Sequence, residues 1–129
     1  MNRRLISTGT KWELANGYSR AVRVGNLVEV AGTTAVDQSG EVVGGQDAYQ
    51  QAIFIFDKID KALNVAGAKL SDVIRTRMYV VDKALVEPVA RAHGETFGHI
   101  RPAATLIVVS ALMEPELLVE IEATAVVAE

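Results

Sequence analysis

The chain has 129 residues, a net charge of -3 and a pI near 5.4, so it is sized for one domain, spanning 1–129, and carries no basic excess for holding nucleic acid. Half of its residues are hydrophobic and only 22% are charged, which supplies a core and leaves an apolar surplus of the kind used in subunit contacts. With no cysteine, disulfides, thiolate catalysis and Cys-ligated zinc are excluded.

No apolar run approaches the roughly 20 residues that span a bilayer. The N-terminal stretch MNRRLISTGTKW has two Arg but no apolar segment behind them, unlike a secretory signal. A cytoplasmic protein without a membrane partner is expected.

Residues 1–17 hold the turn formers Ser7, Thr8, Gly9, Asn16 and Gly17 and read as a short strand near Leu5 followed by an irregular loop that contains Trp12 and Glu13. Trp12 is either a loop anchor or a lid. Tyr18 to Val24 and Leu27 to Ala31 are strand-like, and the two-residue spacer Gly25-Asn26 makes them a hairpin. Gly32-Thr33-Thr34 follows, then a turn at Asp37–Gly40.

Asp47 with Gln50 three residues on is a capping-box arrangement and opens a helix. Ala48, Ala52, Ile55, Ile59, Ala62 and Ala66 recur at steps of four and three along one helical face, and Gly67 supplies the stop. Val73 to Val81 is a strand with Thr76, Met78 and Val80 on one face and Arg75, Arg77 and Tyr79 on the other. Asp82 caps a second helix to about Gly98, with Pro88 in its first turn and Leu85, Val89, Ala92 and Thr96 facing inward. Two β-branched runs, Ala103–Val109 and Leu117–Val127, close the chain as strands. The element order predicts an α+β fold, a mixed sheet with two helices on one face and a second face that another subunit covers.

The last strand carries two carboxylates, Glu120 and Glu122, two residues apart and so on one face. A carboxylate facing an interior must be paired, hydrogen-bonded or protonated. Glu122 reads as half of an ion pair with Arg75 or Arg77.

Pro102-Ala103, a strand, a short loop and then Val119-Glu120-Ile121-Glu122-Ala123 resemble the C-terminal signature of the Rid family, also called YjgF, whose archetype is an enamine/imine deaminase. Length and element order match over the whole chain. The resemblance implies a chorismate-mutase-like fold, assembly as a homotrimer, and small-molecule sites in the clefts between subunits. Glu120 matches the family's water-positioning Glu, although the loop before it is one residue longer than usual. Tyr18, in Gly17-Tyr18-Ser19-Arg20-Ala21, matches a cleft-lining Tyr; the alternative is a strand aromatic at an interface. Gly32-Thr33 matches a segment whose backbone approaches the ligand, which a residue without Cβ permits. His93 lies at the edge of the second helix's apolar face, where it either satisfies a structural bond or borders the cleft.

One departure stands out. Deaminase members place an Arg directly after the Pro-Ala pair to bind the substrate carboxylate, and here that residue is Ala104. Ala104 and Thr105 alternate across the strand, and Ala104 on the cleft side leaves an apolar, widened pocket. Arg101 starts roughly 10 Å along the chain from Ala104; Arg20 and Arg77 are the other candidates for a replacement cation. The reading is hydrolysis of a small enamine or imine to a carbonyl compound and ammonia. Glu120 orients water, and Tyr18, Gly32, Thr33, His93, Arg101, Ala104 and Thr105 form the substrate site. No cofactor or metal is required, because the imine carbon is already electrophilic. The alternative is a small-molecule-binding module without turnover. Chorismate-mutase-type chemistry follows from fold analogy alone and needs Arg20, Arg77 and Arg101 to converge. Ribonuclease activity has no basic stripe to support it.

Overall fold

A computed structural model describes residues 2–128. In chain order it contains β1 (Arg3–Ile6), α1 (Lys11–Asn16), β2 (Ala21–Val24), β3 (Leu27–Thr33), α2 (Ala48–Val65), β4 (Val73–Val80), α3 (Val86–Phe97), β5 (Ala103–Val108) and β6 (Val119–Val126). The six strands form one mixed sheet in the order β1-β2-β3-β6-β4-β5, in which only β4 and β5 run parallel.

The β2–β3 hairpin turns at Gly25-Asn26 as the spacing requires, with Gly25 at φ +60°. α2 starts at Asp47, whose carboxylate accepts from the Gln50 amide at 3.2 Å. It stops one residue earlier than the sequence suggests: Ala66 is the cap, and Gly67 follows at φ +83°. The Ala68 N–H then bonds back to the Leu63 carbonyl. The predicted second helix is two pieces, a 3-10 turn Lys83–Leu85 under Asp82 and then α3, with Pro88 in the first turn of α3.

Two expectations at the N-terminal end are corrected. The loop after Leu5 contains α1, and the strand expected from Tyr18 begins only at Ala21. Thr10 caps α1 and Gly17 ends it in the left-handed region. The Glu13 side chain is buried and accepts from the hydroxyls of Ser7 (2.8 Å), Thr8 (2.6 Å) and Thr10 (3.0 Å). Burial pushes its pKa up, but those donors outweigh burial and hold it below the ordinary value.

α2 and α3 cover one face of the sheet. Ile55, Ile59 and Leu63 of α2 and Val89 and Phe97 of α3 pack on Val28 and Val30 of β3, Met78 and Val80 of β4, and Val119, Ile121, Ala123 and Ala125 of β6. Each large side chain removed from water here contributes about 2 kcal/mol. Gln51, fully buried, donates to the Gly45 and Glu116 carbonyls and accepts from the Leu118 amide, all at 2.9 Å. It fastens the start of α2 to the segment entering β6.

The opposite face carries no element along most of its area. Leu5, Leu27, Ile107 and Val126 are exposed there, 42–59% accessible, among charged side chains. No helix among the described residues is long and apolar enough to cross a membrane.

Candidate functional site on the uncovered sheet face

The alternation of β6 sends Ile121 and Ala123 to the helices and Glu120 and Glu122 to the uncovered face. Pairing with β4 sets Glu120 opposite Tyr79 and Glu122 opposite Arg77. Glu122 accepts from the Tyr79 hydroxyl at 3.1 Å and lies 3.6 Å from Arg77. The ion pair expected for Glu122 is therefore present, with Arg77 as the partner. Burial and that carboxylate push the Tyr79 phenol up.

Glu120 sits where β3 loses its regular pairing with β6, between Val30 and Thr33. Gly32 occupies this irregularity. Its missing side chain is the space in which the Glu120 carboxylate lies, and a methyl group at Gly32 would collide with Oε2. Burial pushes the Glu120 pKa up; the Arg20 guanidinium opposes this and Glu122 adds to it. Arg20 donates from Nη2 to the Gly32 carbonyl at 2.8 Å. Lys58 of α2 donates to the Thr34 and Val36 carbonyls just beyond, and its pKa is lowered to about 8 by burial and by Arg20.

Beside this point a groove of about 1320 Å³ runs between α1 and the sheet, open on one side. Its walls include Glu13 and Leu14 of α1, Tyr18, Gly32, Arg77 and Glu122. Tyr18 is 42% exposed, so its phenol is free to meet a ligand. Trp12 rides on α1 and is half exposed.

Within one chain the site residues expected from sequence fall into two groups. Tyr18 and Gly32 line the groove, and Glu120 adjoins it through the space at Gly32 without lining it. Thr33 adjoins them, but it is 1% exposed and its hydroxyl donates to the Ala31 carbonyl, so the residue is buried beneath the bulge. Arg101, Ala104 and Thr105 lie at the far edge of the sheet, with β6 and β4 between β3 and β5. Three strand spacings put that edge about 14 Å from Gly32. Thr105 faces the same side as Glu120 and accepts from Arg75 Nη2 at 2.6 Å. Ala104 pairs with Thr76 and so faces the helix side, exposed only because β5 is an edge strand. Arg101 is an exposed residue at φ +58°, bonded through its N–H to the Phe97 carbonyl.

His93 also lies across the sheet from Glu120. Its Nε2 is 2.8 Å from Thr76 Oγ1, and its ring contacts Phe56 and Phe97, with centroids 5.9 and 4.8 Å away. Burial lowers its pKa. Arg20, Arg77 and Arg101 do not converge: four strand spacings, about 19 Å, separate the strand after Arg20 from the one after Arg101. That removes chorismate-mutase-type chemistry from a single chain. Among the described residues no three His, Asp or Glu side chains gather as a metal-binding group.

The sequence offered Arg20 only as one of several candidate cations, with no feature to mark its burial, and α1 escaped the sequence reading. α1 did carry a signal: Thr10 and Glu13 are spaced as a capping box.

Comparison with known proteins gives this arrangement a family. The model described as Endoribonuclease L-PSP matches residues 8–127. A solved structure from Mycobacterium tuberculosis, described as a member of the highly conserved YjgF/YER057c/UK114 family, superposes with a TM-score of 0.89 at 46% identity and covers 98% of this chain and all of that one. An uncharacterized protein of Streptomyces coelicolor is 37% identical over 123 residues, 95% of this chain and 90% of that one. The 3-aminoacrylate deaminase RutC of Acinetobacter baylyi is 31% identical over 121 residues, 94% of each. The carboxylate pair of β6, the glycine that receives one of them and these matches agree, and the chain belongs to the Rid (YjgF) family.

Proposed function

We propose that this chain hydrolyses a small reactive enamine or imine to a carbonyl compound and ammonia. The observation that carries the reading is Glu120: a half-buried carboxylate with a raised pKa, seated in the space that Gly32 leaves, beside a groove lined by Tyr18. Such a group takes a proton from water more readily than an ordinary carboxylate does. Glu120 takes a proton from water as the water oxygen bonds to the imine carbon and passes that proton to the nitrogen, giving a carbinolamine and restoring the carboxylate. The same carboxylate then takes the new hydroxyl's proton and hands it to nitrogen. The C–N bond breaks, C=O forms and ammonia leaves. Tyr18 and the Gly32 backbone hold the substrate. The likeness to a 3-aminoacrylate deaminase supports this chemistry in general terms.

The assembly in this reading is a homotrimer whose β5 edge, with Arg101, Ala104 and Thr105, completes the groove of the next copy. The apolar side chains on the uncovered face and the 14 Å gap within one chain both support it. The second reading, a ligand-binding module without turnover, is favoured by one observation: Ala104 stands where the deaminases carry their Arg.

An imine-release assay separates the two. A dehydratase or amino-acid oxidase generates imines with and without a carboxylate in situ, and carbonyl release is followed for the wild type, Glu120→Gln and Ala104→Arg. Turnover by the wild type that is lost in Glu120→Gln is the expected result. Folded protein with no turnover in any of the three leaves the binding module.

A further inference from the structure

One wall of the groove is α1, and α1 has no apolar anchor. Lys11, Glu13, Leu14 and Ala15 line the groove, yet the one buried residue of the helix is Glu13, and Leu14 is 80% exposed. A helix of six residues is too short to hold its shape alone and is ordinarily fixed by packing an apolar face. Here a carboxylate takes the place of that face.

Glu13 is 5% exposed, and none of the ion pairs among the described residues includes it. Its partners are neutral donors from the chain just before the helix. Oε1 accepts from the Ser7 hydroxyl at 2.8 Å and the Thr8 amide at 3.3 Å. Oε2 accepts from the Thr8 hydroxyl at 2.6 Å and the Thr10 hydroxyl at 3.0 Å. Hydrogen bonds to an ionised acceptor are stronger than neutral ones, and a buried carboxylate is destabilised by the loss of any of them. Residues 7–10 and α1 are thereby drawn into one unit.

The same residue reaches Tyr18 through its backbone. The Glu13 carbonyl accepts from the Gly17 amide and, at 3.0 Å, from the Tyr18 amide. Gly17, at φ +73°, turns the chain out of the helix. A second anchor follows at once: the Arg20 carbonyl accepts from the Ala31 amide at 2.9 Å, where the sheet begins. Tyr18 therefore sits on a short bridge between Glu13 and β2, and its place in the groove follows the place of α1.

We propose that Glu13 is a positioning residue of the groove: its carboxylate seats α1, and α1 sets where Tyr18 meets a ligand. This rests on the groove being the small-molecule site. It deepens that reading by adding a residue that acts on binding through Tyr18 and takes no part in the proton transfers of Glu120.

The test reads Tyr18 directly and needs no turnover. The tyrosines of the chain are Tyr18, Tyr49 and Tyr79. Full-length protein labelled with 3-fluorotyrosine is followed by ¹⁹F NMR, with the Tyr18 line assigned by its absence in Tyr18→Phe. In Glu13→Ala the Tyr18 line is expected to shift, while Tyr49, bonded to Glu95, and Tyr79, bonded to Glu122, keep theirs. Glu13→Gln is expected to return most of the way to wild type, because the amide keeps one acceptor oxygen and its N–H groups meet hydroxyls that rotate to accept. Thr8→Val deletes the 2.6 Å bond at an exposed residue and is expected to move the Tyr18 line the same way by less, a readout that holds even where Glu13→Ala does not fold. In the imine assay Glu13→Ala is expected to raise KM about fivefold with kcat within about twofold. Added to Tyr18→Ala it should raise KM by less than about twofold more, because both substitutions remove one contact. A Tyr18 line unmoved in folded Glu13→Ala or in Thr8→Val, or KM effects that multiply in the double variant, overturns the proposal. A moved Tyr18 line with no imine turnover by the wild type would keep this inference and remove the hydrolase; turnover with an unmoved line would do the reverse.

Discussion

The two faces of the sheet are made by the same strands, and they have opposite chemistry. On the helix side β6 presents Val119, Ile121, Ala123 and Ala125, all buried against α2 and α3. On the other side the intervening residues are Glu120, Glu122 and Thr124, set against Tyr79, Arg77 and Arg75 of β4. The helix side is saturated: its polar groups, Gln51, Thr76 and His93, all have partners. The uncovered side keeps charges half-buried and donors unspent. A period of two residues lets one strand serve as both core and site, and it explains how Glu120 gains a raised pKa while its neighbours gain packing.

Changes on the uncovered face should strike chemistry and spare the fold. The largest expected effect is Glu120→Gln, which should slow imine hydrolysis by about 10³-fold with an unchanged urea midpoint, checked by coupled carbonyl release. On the helix face the order reverses. Gln51→Leu strips partners from the Gly45 and Glu116 carbonyls and the Leu118 amide, and should lower unfolding stability by about 3 kcal/mol in urea titration.

Gly32→Ala sharpens the contrast, because it changes the site from the backbone side. The methyl group displaces the mobile end of Glu120, not the main chain, so turnover should fall about tenfold while stability changes little. The smallest effect belongs to His93. Its folded pKa is below the ordinary 6.5, so the unfolded chain binds the proton more readily. Stability is then complete above about pH 6.5 and declines as pH falls from there through the folded value. Urea midpoints across pH 7.5 to 5 should show that decline, and His93→Gln should flatten it.

The legible part of this chain was what local periodicity encodes. α2 announced itself through Asp47, Gln50 and six residues on one helical face, and β4 through the alternation of Arg75, Thr76, Arg77 and Met78. Glu120 and Glu122 could be placed on one face by counting. Strand order could not be read, because pairing of β6 between β3 and β4 is settled by packing across the whole sheet. For that reason the sequence could not show that Ala104 and His93, expected in one intersubunit cleft with Glu120, lie across the sheet from it within a single chain. The bulge at Gly32 and the burial of Arg20 arise from the same non-local pairing. α1, six residues long, is too short for a periodic signal, and its evidence was confined to the spacing of Thr10 and Glu13.

The edge strand β5 has a consequence for handling the protein. Its sequence AATLIV holds no charge and no proline, Ile107 and Val108 are about half exposed, and one row of its backbone donors and acceptors faces outward. A strand of that kind is a template for cross-β stacking. In the proposed trimer this same edge completes a neighbour's groove, so it is also where fibres would nucleate if it stood free. Under that proposal, variants that free the edge are expected to surface as insoluble aggregate before they surface as free monomer.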